Sequence, residues 1–209
     1  MAKNNVSDFL TKVKQGVRPN MFEVQLTFPT TLNLTAASGG DDLLTLMCKS
    51  AALPASNIGV IEVPFRGRTV KIAGDRTFDN WTATFINDKS MEVRSRFEEW
   101  LAAINEHKAN KTSTAGAVDP TQYTASVQVK QLEKDESEGG KTLRQYKLWY
   151  AFPTSVSAID VAYDSNDQIE EFTVEFQYSY WTVESDDVKA GSGGPANGGT
   201  GTGTGTSAG

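Results

Sequence analysis

Glu171-Phe172-Thr173-Val174-Glu175-Phe176-Gln177-Tyr178, close to the C-terminal end of a 209-residue chain, alternates polar with aromatic or β-branched residues without interruption. Successive side chains of a strand point to opposite faces, so the run predicts a half-buried strand within a segment Glu171 to Val183. Phe172, Val174, Phe176, Tyr178 and Tyr180 then face a core, and Glu171, Thr173, Glu175 and Gln177 face away from it. Asp164-Ser165-Asn166-Asp167 just upstream is a turn-forming quartet. It predicts a final hairpin whose other strand is Ala158 to Tyr163.

The same period recurs outward from this run. Phe22, Val24, Leu26 and Phe28 alternate with Glu23, Gln25 and Thr27, and Leu44, Leu46 and Cys48 alternate with Thr45, Met47 and Lys49. Trp81, Ala83 and Phe85 sit opposite Thr82 and Thr84 in a run from Phe78 to Asn87. Tyr123 to Leu132 and Thr142 to Phe152 complete the series, the latter with Tyr146, Leu148, Tyr150 and Phe152 on one face. Between Ile58 and Ile72, the β-rich runs Val60 to Val63 and Thr69 to Ile72 flank Pro64-Phe65-Arg66-Gly67-Arg68, which predicts a projecting hairpin that Gly74 brings to an end. One segment has helical period throughout: Val93, Phe97, Trp100, Leu101 and Ile104, with Asn87 and Asp88 placed to cap it. Val6, Phe9, Leu10 and Val13 predict a short N-terminal helix stopped by Gly16. The expected fold is mainly β: an antiparallel sandwich or barrel with one packed helix, a projecting hairpin and a short helical arm. The chain divides into an arm (1–17), a β domain (18–184) and a Gly/Thr-rich tail (185–209) that has too few apolar residues to build a core.

Chemistry is hard to place on this chain. A single His and a single Cys cannot furnish a structural zinc site or a Cys-His pair, and Gly59, Gly67 and Gly74 lack phosphate-loop spacing. His107 reads as a solvated residue near the helix end and Cys48 as a small apolar side chain. Asp75, Asp79 and Asp88 read as turn and cap residues. No catalytic, cofactor-binding or metal-binding residue is expected, and hence no enzyme. The net charge of −6 argues against a surface that grips nucleic acid through its phosphates. With one cysteine and no long apolar run, the sequence predicts a reducing compartment, no classical export signal and no bilayer span.

Six phrases occur in order between about residue 18 and residue 184: Arg18-Pro19-Asn20 before Phe22; Cys48-Lys49 leading to Leu53-Pro54; Ala73-Gly74-Asp75-Arg76-Thr77-Phe78-Asp79-Asn80-Trp81; Asn87-Asp88 before Phe97 and Trp100; Pro153-Thr154 before Val156; and Asp164-Ser165-Asn166 before Ile169, Phe172 and Tyr180-Trp181. Together they resemble the tail tube proteins of T-even and related contractile phages, with Gly74, Asp75, Arg76, Thr77, Phe78, Asp79 and Trp81 as the most specific part. The loops at 30–42 and 108–120 and the tail lie outside the resemblance. It implies a virion tail subunit, assembled in the host cytoplasm, that forms hexameric rings stacking into a tube inside a contractile sheath. It also implies sheath, tape-measure, baseplate and tail-terminator proteins as partners, and transient passage of double-stranded DNA without specific binding.

On that reading the polar strand faces are candidates for a polar, net acidic channel wall: Glu23, Gln25, Thr27, Thr82, Thr84, Glu171, Thr173, Glu175 and Gln177. Lys49 shares such a face and is expected either to be neutralised by a neighbouring carboxylate or to form part of an interface. The hairpin residues Val60, Ile61, Glu62, Val63, Phe65, Arg66, Arg68 and Thr69 are candidates for contacts between rings, because a two-stranded ribbon is marginal alone. Two other readings compete with a phage tail: the tube of a headless contractile injection particle or phage-like bacteriocin, and a ligand-binding β-barrel.

Overall fold

A computed structural model of the chain describes residues 6–13, 16–32, 34, 40–108, 111–112, 119–133, 142–166 and 168–184. The expectation for the tail falls outside these residues, as does much of the expectation for the loops at 30–42 and 108–120. In chain order the elements are α1 (Val6–Val13), β1 (Phe22–Thr27), a 3-10 turn (Thr30–Leu32), α2 (Gly40–Met47), β2 (Cys48–Ala51), β3 (Asn57–Phe65), β4 (Arg68–Thr77), β5 (Trp81–Ile86), α3 (Glu92–Ile104), α4 (Pro120–Tyr123), β6 (Ala125–Leu132), β7 (Thr142–Val156), β8 (Glu171–Gln177) and β9 (Tyr180–Val183). Every strand pairing is antiparallel. The path runs β1-β6-β7-β8-β5-β2 with β9 beside β7, while β3 and β4 form a separate ribbon. Among the described residues β1 and β2 end the path, so the sheet does not close into a barrel.

β7 joins the two halves of the structure. Its residues up to Ala151 pair with β6, Tyr146 to Trp149 also pair with β9, and Phe152 to Val156 pair with β8. At the changeover Tyr150 has φ 55°, a left-handed conformation that is uncommon for a bulky side chain. That residue breaks the expected alternation: Leu148 is buried, Tyr150 is exposed, and Ala151 and Pro153 are buried in its place. The strand consequently runs on through Pro153 instead of ending before it.

Core formation follows the aromatic residues. Phe97 and Trp100 of α3 are fully buried. The Phe97 ring touches Phe28, Phe85, Phe172 and Phe176, and Trp100 touches Phe28 and Phe176. Each such side chain contributes about 1.5–3 kcal/mol by leaving water, which outweighs local propensity and fixes α3 on the sheets. The Trp100 indole also donates to the Tyr123 carbonyl at 2.8 Å, tying α3 to α4.

Several local expectations are overturned. Residues 44–47 form the end of helix α2, not a strand, with β2 starting at Cys48. Leu43, Leu44 and Met47 fit a helical period as well as an alternating one, and α2 packs them toward β1, with Leu44 buried. Ala158 to Tyr163 is irregular, and the antiparallel neighbour of β8 is the end of β7 instead. Gly74 does not end its strand, because β4 continues to Thr77. Tyr123 belongs to α4, whose start is capped by the Asp119 carboxylate accepting from Thr121 N at 3.0 Å. The segment 171–183 divides into β8 and β9 at Tyr178-Ser179. Asn87 does not cap α3; it is buried and donates to Glu170 at 3.1 Å. Asp88 does contribute, accepting from Ser90 N at 3.0 Å and, at 3.4 Å, from Val93 N in the first turn. Although desolvation opposes it, these bonds and one from the Ser90 hydroxyl hold the Asp88 carboxyl below its ordinary range.

Candidate functional site

Strand register brings the candidate polar residues onto the sheet faces turned away from the core. On one half, Thr82 lies opposite Glu175 and Thr84 opposite Thr173, whose hydroxyls are 3.2 Å apart. Glu171 lies opposite Ile86, and Lys49 from β2 reaches across β5 to it with Nζ–Oε1 at 2.5 Å. Glu175 accepts a hydrogen bond from Asn80. On the other half, Glu23 lies opposite Lys130, Gln25 opposite Gln128 and Thr27 opposite Ser126.

This second half extends beyond the residues singled out from sequence. Gln128 pairs with Lys147 and Lys130 with Gln145, and Lys147 lies opposite Thr182. The alternation of Ser126, Gln128 and Lys130 with Val127 and Val129 carried that signal in plain view. Lys130 is 3.5 Å from Glu23, and Lys147 is 3.5 Å from Glu184. Gln145 donates to both Gln128 and Glu184, at 3.1 and 2.8 Å. Three of the carboxylates on the face, Glu23, Glu171 and Glu184, therefore have a lysine neighbour, and Glu175 is held by an amide. Each half thus carries hydrogen-bonded polar residues with most of their charge neutralised locally. Sequence reading found its carboxylates but missed Lys130 and Lys147, because strand neighbours distant in sequence are assigned only by register.

The β3–β4 ribbon has its own design. Arg66 (φ 45°) and Gly67 (φ 80°) are both left-handed, the conformation that a two-residue hairpin turn requires. Register places Ile61 opposite Ile72, Val63 opposite Val70 and Phe65 opposite Arg68, so one face is an apolar stripe ending in a cation. The other face carries Glu62 opposite Lys71, 3.6 Å apart, and Pro64 opposite Thr69. Ile58, Val60, Ile61, Val63, Phe65, Val70 and Ile72 are all exposed. The ribbon's base, by contrast, is fixed to the body. Asn57 donates to Asp79 at 2.7 Å, and the Trp81 indole donates to the Ala52 carbonyl at 2.5 Å. Trp181 and Tyr178 both donate to the Ala55 carbonyl, at 3.0 and 3.3 Å. Burial, with the Asp79 charge nearby, raises the Tyr178 phenol above its ordinary pKa, which keeps this donor protonated. Most of the Gly74 to Trp81 motif thus forms the end of β4 and the junction between ribbon and β5. Gly74 itself crosses close to Gly59, where a Cβ would meet Gly59 backbone atoms at 3.2 Å.

Helix α1 repeats the theme on a smaller scale. Val6, Phe9, Leu10 and Val13 form the expected stripe, and all four are exposed. His107 is exposed. Burial pushes the Cys48 thiol up to about 12, against a weaker lowering by a hydrogen bond with the Ser50 backbone, so it stays protonated and a poor nucleophile. Among the described residues no helix is long and apolar enough to cross a membrane.

The sequence profile of the family described as phage tail tube protein matches residues 17–184. The tail tube protein gp19 of Enterobacteria phage T4 is 34% identical over 164 residues, covering 78% of this chain and 90% of that protein. Among solved structures, a chain in the anti-feeding prophage tube-terminating cap superposes with a TM-score of 0.55 at 17% identity, covering 81% of this chain and 91% of that one. A chain of the sheath-tube complex of an extracellular contractile injection system, in its extended state, gives 0.54 at 13% identity, covering 84% and 97%. These two likenesses are of fold.

Proposed function

The chain belongs to the phage tail tube protein family, as a structural subunit of the virion tail, and from that premise we propose that it forms hexameric rings that stack into a tube conducting double-stranded DNA and tape-measure protein. The observation that carries the assembly is the β3–β4 ribbon. Seven large apolar side chains stand in water on an element that is marginal by itself, held at its base by four hydrogen bonds that aim it outward. A ribbon so built is stable once another subunit covers it, and Val60, Ile61, Glu62, Val63, Phe65, Arg66, Arg68 and Thr69 are its contact residues between rings. Ring closure also covers the edges that β1 and β2 leave at the ends of the sheet. Sheath, baseplate and terminator proteins are the further partners this role requires. The 34% identity to a phage protein over most of the chain favours a phage tail over a headless particle, with which the likeness is at the level of fold.

In this reading the polar face lines the channel. A basic wall would exchange counterions with DNA phosphates and bind at each level. Here the lysines on the face are held beside carboxylates, and Glu175 is left as the excess charge, which gives a wall that is slightly acidic and non-adhesive. The Gly/Thr-rich segment 185–209 has too few apolar residues to add to a core and is expected to be dispensable for the fold of the β domain.

Replacing Val60 to Thr69 by a short Gly-Ser turn is expected to leave a folded subunit that no longer forms tubes in electron micrographs. Tubes of normal length from that variant would overturn the assembly reading. For the channel, the double reversal Glu171→Lys and Glu175→Lys strands Lys49 beside a like charge and makes the wall basic. Genome delivery by particles carrying it is expected to slow, and to slow more at low salt than at high salt. Delivery unaffected at both salts would remove the face from the channel.

A further inference from the structure

The ribbon's chemistry points to a particular receptor. Between Asn57 and Thr77 the sequence has four cations, Arg66, Arg68, Lys71 and Arg76, against the carboxylates Glu62 and Asp75, in a chain whose overall charge is −6. A basic, apolar ribbon on an acidic chain fits a surface that is acidic and apolar at once. One irregular segment has both properties. From residue 158 to residue 170 the sequence has no lysine or arginine but has Asp160, Asp164, Asp167 and Glu170, and Val161, Tyr163 and Ile169 are 81%, 108% and 70% exposed. The segment also encloses a shallow recess of about 460 Å³, lined in part by Ile159, Val161, Ser165 and Ile169.

Both surfaces are exposed in the single chain, and their placement favours a contact between copies. The ribbon leads through Phe78 to Asn80 into Trp81, the first residue of β5, which pairs with Phe176. The acidic segment enters β8 at Glu171, which pairs with Ile86 at the other end of β5, and Asn87 N bonds the Glu170 carbonyl at 2.9 Å. The two features thus stand at opposite ends of the same strand pair, about 17 Å apart along β5 at roughly 3.4 Å per residue. Complementary surfaces at opposite ends of a subunit suit a head-to-tail contact, which builds a filament where its rotation does not close into a ring.

We propose that the β3–β4 ribbon of one copy docks on the 158–170 segment of the next copy along the tube, with Phe65 in the recess and Arg66 and Arg68 facing Asp160, Asp164 and Glu170. This rests on the stacked-tube reading and adds the receiving surface to it. The Glu62–Lys71 face of the ribbon stays outside the contact, and the Ile61–Ile72 and Val63–Val70 pairs are covered.

The test uses the full chain. Phe65→Cys and Tyr163→Cys variants, prepared separately and mixed under stacking conditions, are expected to give a thiol-to-thiol cross-linked dimer that neither variant gives alone. Arg68→Glu and Asp164→Lys are each expected to lower the extent of polymerisation at low salt at least about tenfold, the difference shrinking in high salt as screening takes over. Combining both changes in one chain should restore most of it. Thermal melting of each unassembled variant confirms that the subunit is folded. If shortening the ribbon abolishes stacking while the cross-link is absent and Asp164→Lys polymerises normally, this docking surface is wrong and the tube reading stands. If the unaltered chain forms rings that never stack, both fall together.

Discussion

The aromatic cluster under α3 and the β3–β4 ribbon are made from similar residues, and they differ in where their apolar surface goes. In the body, Phe28, Phe85, Phe97, Phe172 and Phe176 are buried against one another, so the subunit itself supplies the free energy that orders them. In the ribbon, Ile61, Val63, Phe65, Val70 and Ile72 alternate just as regularly yet remain in water. What separates them is company in three dimensions. β5 and β8 are flanked by other strands and roofed by a helix, whereas among the described residues β3 and β4 pair only with each other. The body therefore buries its apolar surface within one chain, whereas the ribbon leaves its own exposed.

Phe97→Ala probes the first half of that contrast. Losing a fully buried ring that touches four others is expected to destabilise the subunit by about 3–5 kcal/mol, read by urea denaturation. A loss below about 1 kcal/mol would mean that the body does not depend on this cluster. Gly74→Val probes the second half, since the new side chain collides with the Gly59 backbone inside the ribbon. The expected outcome is a subunit less stable by about 1 kcal/mol or less, with tube yield reduced severalfold. Global unfolding would break the distinction between body and ribbon. Asp88→Ala should have the smallest effect, about 0.5–1 kcal/mol, by removing acceptors at the start of α3. Because the folded-state pKa of Asp88 is lowered, its contribution is present above the ordinary carboxylate range and lost as pH falls through the folded value. The stability gap between wild type and variant should close in acid, and a gap that widened there would assign the effect to something other than the carboxylate.

Legibility from sequence varied with the kind of signal. Strands β1, β5 and β8 were readable because each has one face in the core and one outside, the condition under which period-2 patterning is clearest. Helix α3 was readable because its buried positions repeat over three turns. Residues 44–47 were not, since four residues fit both periods and the decision lay with the surface of β1. Tyr150 could not be foreseen either. Its left-handed backbone is imposed by β7 changing partners from β6 to β8, a fact about two other strands. For the candidate channel face the carboxylates were visible, but the lysines that neutralise them were not. Glu23 and Lys130 are 107 residues apart, and Lys49 and Glu171 are 122 apart.

By itself, then, the sequence determined the class of fold, the projecting hairpin though not its two-residue turn, the N-terminal amphipathic helix and the scarcity of catalytic parts, because each is written in local periodicity, turn chemistry or composition. Only the tertiary structure decided which polar residues pair across strands, which charges neutralise one another, and that the basic ribbon and the acidic 158–170 segment stand at opposite ends of β5 and β8. Those properties depend on strand register and on the direction in which each strand leaves the sheet, and both are set by packing between segments far apart in the chain.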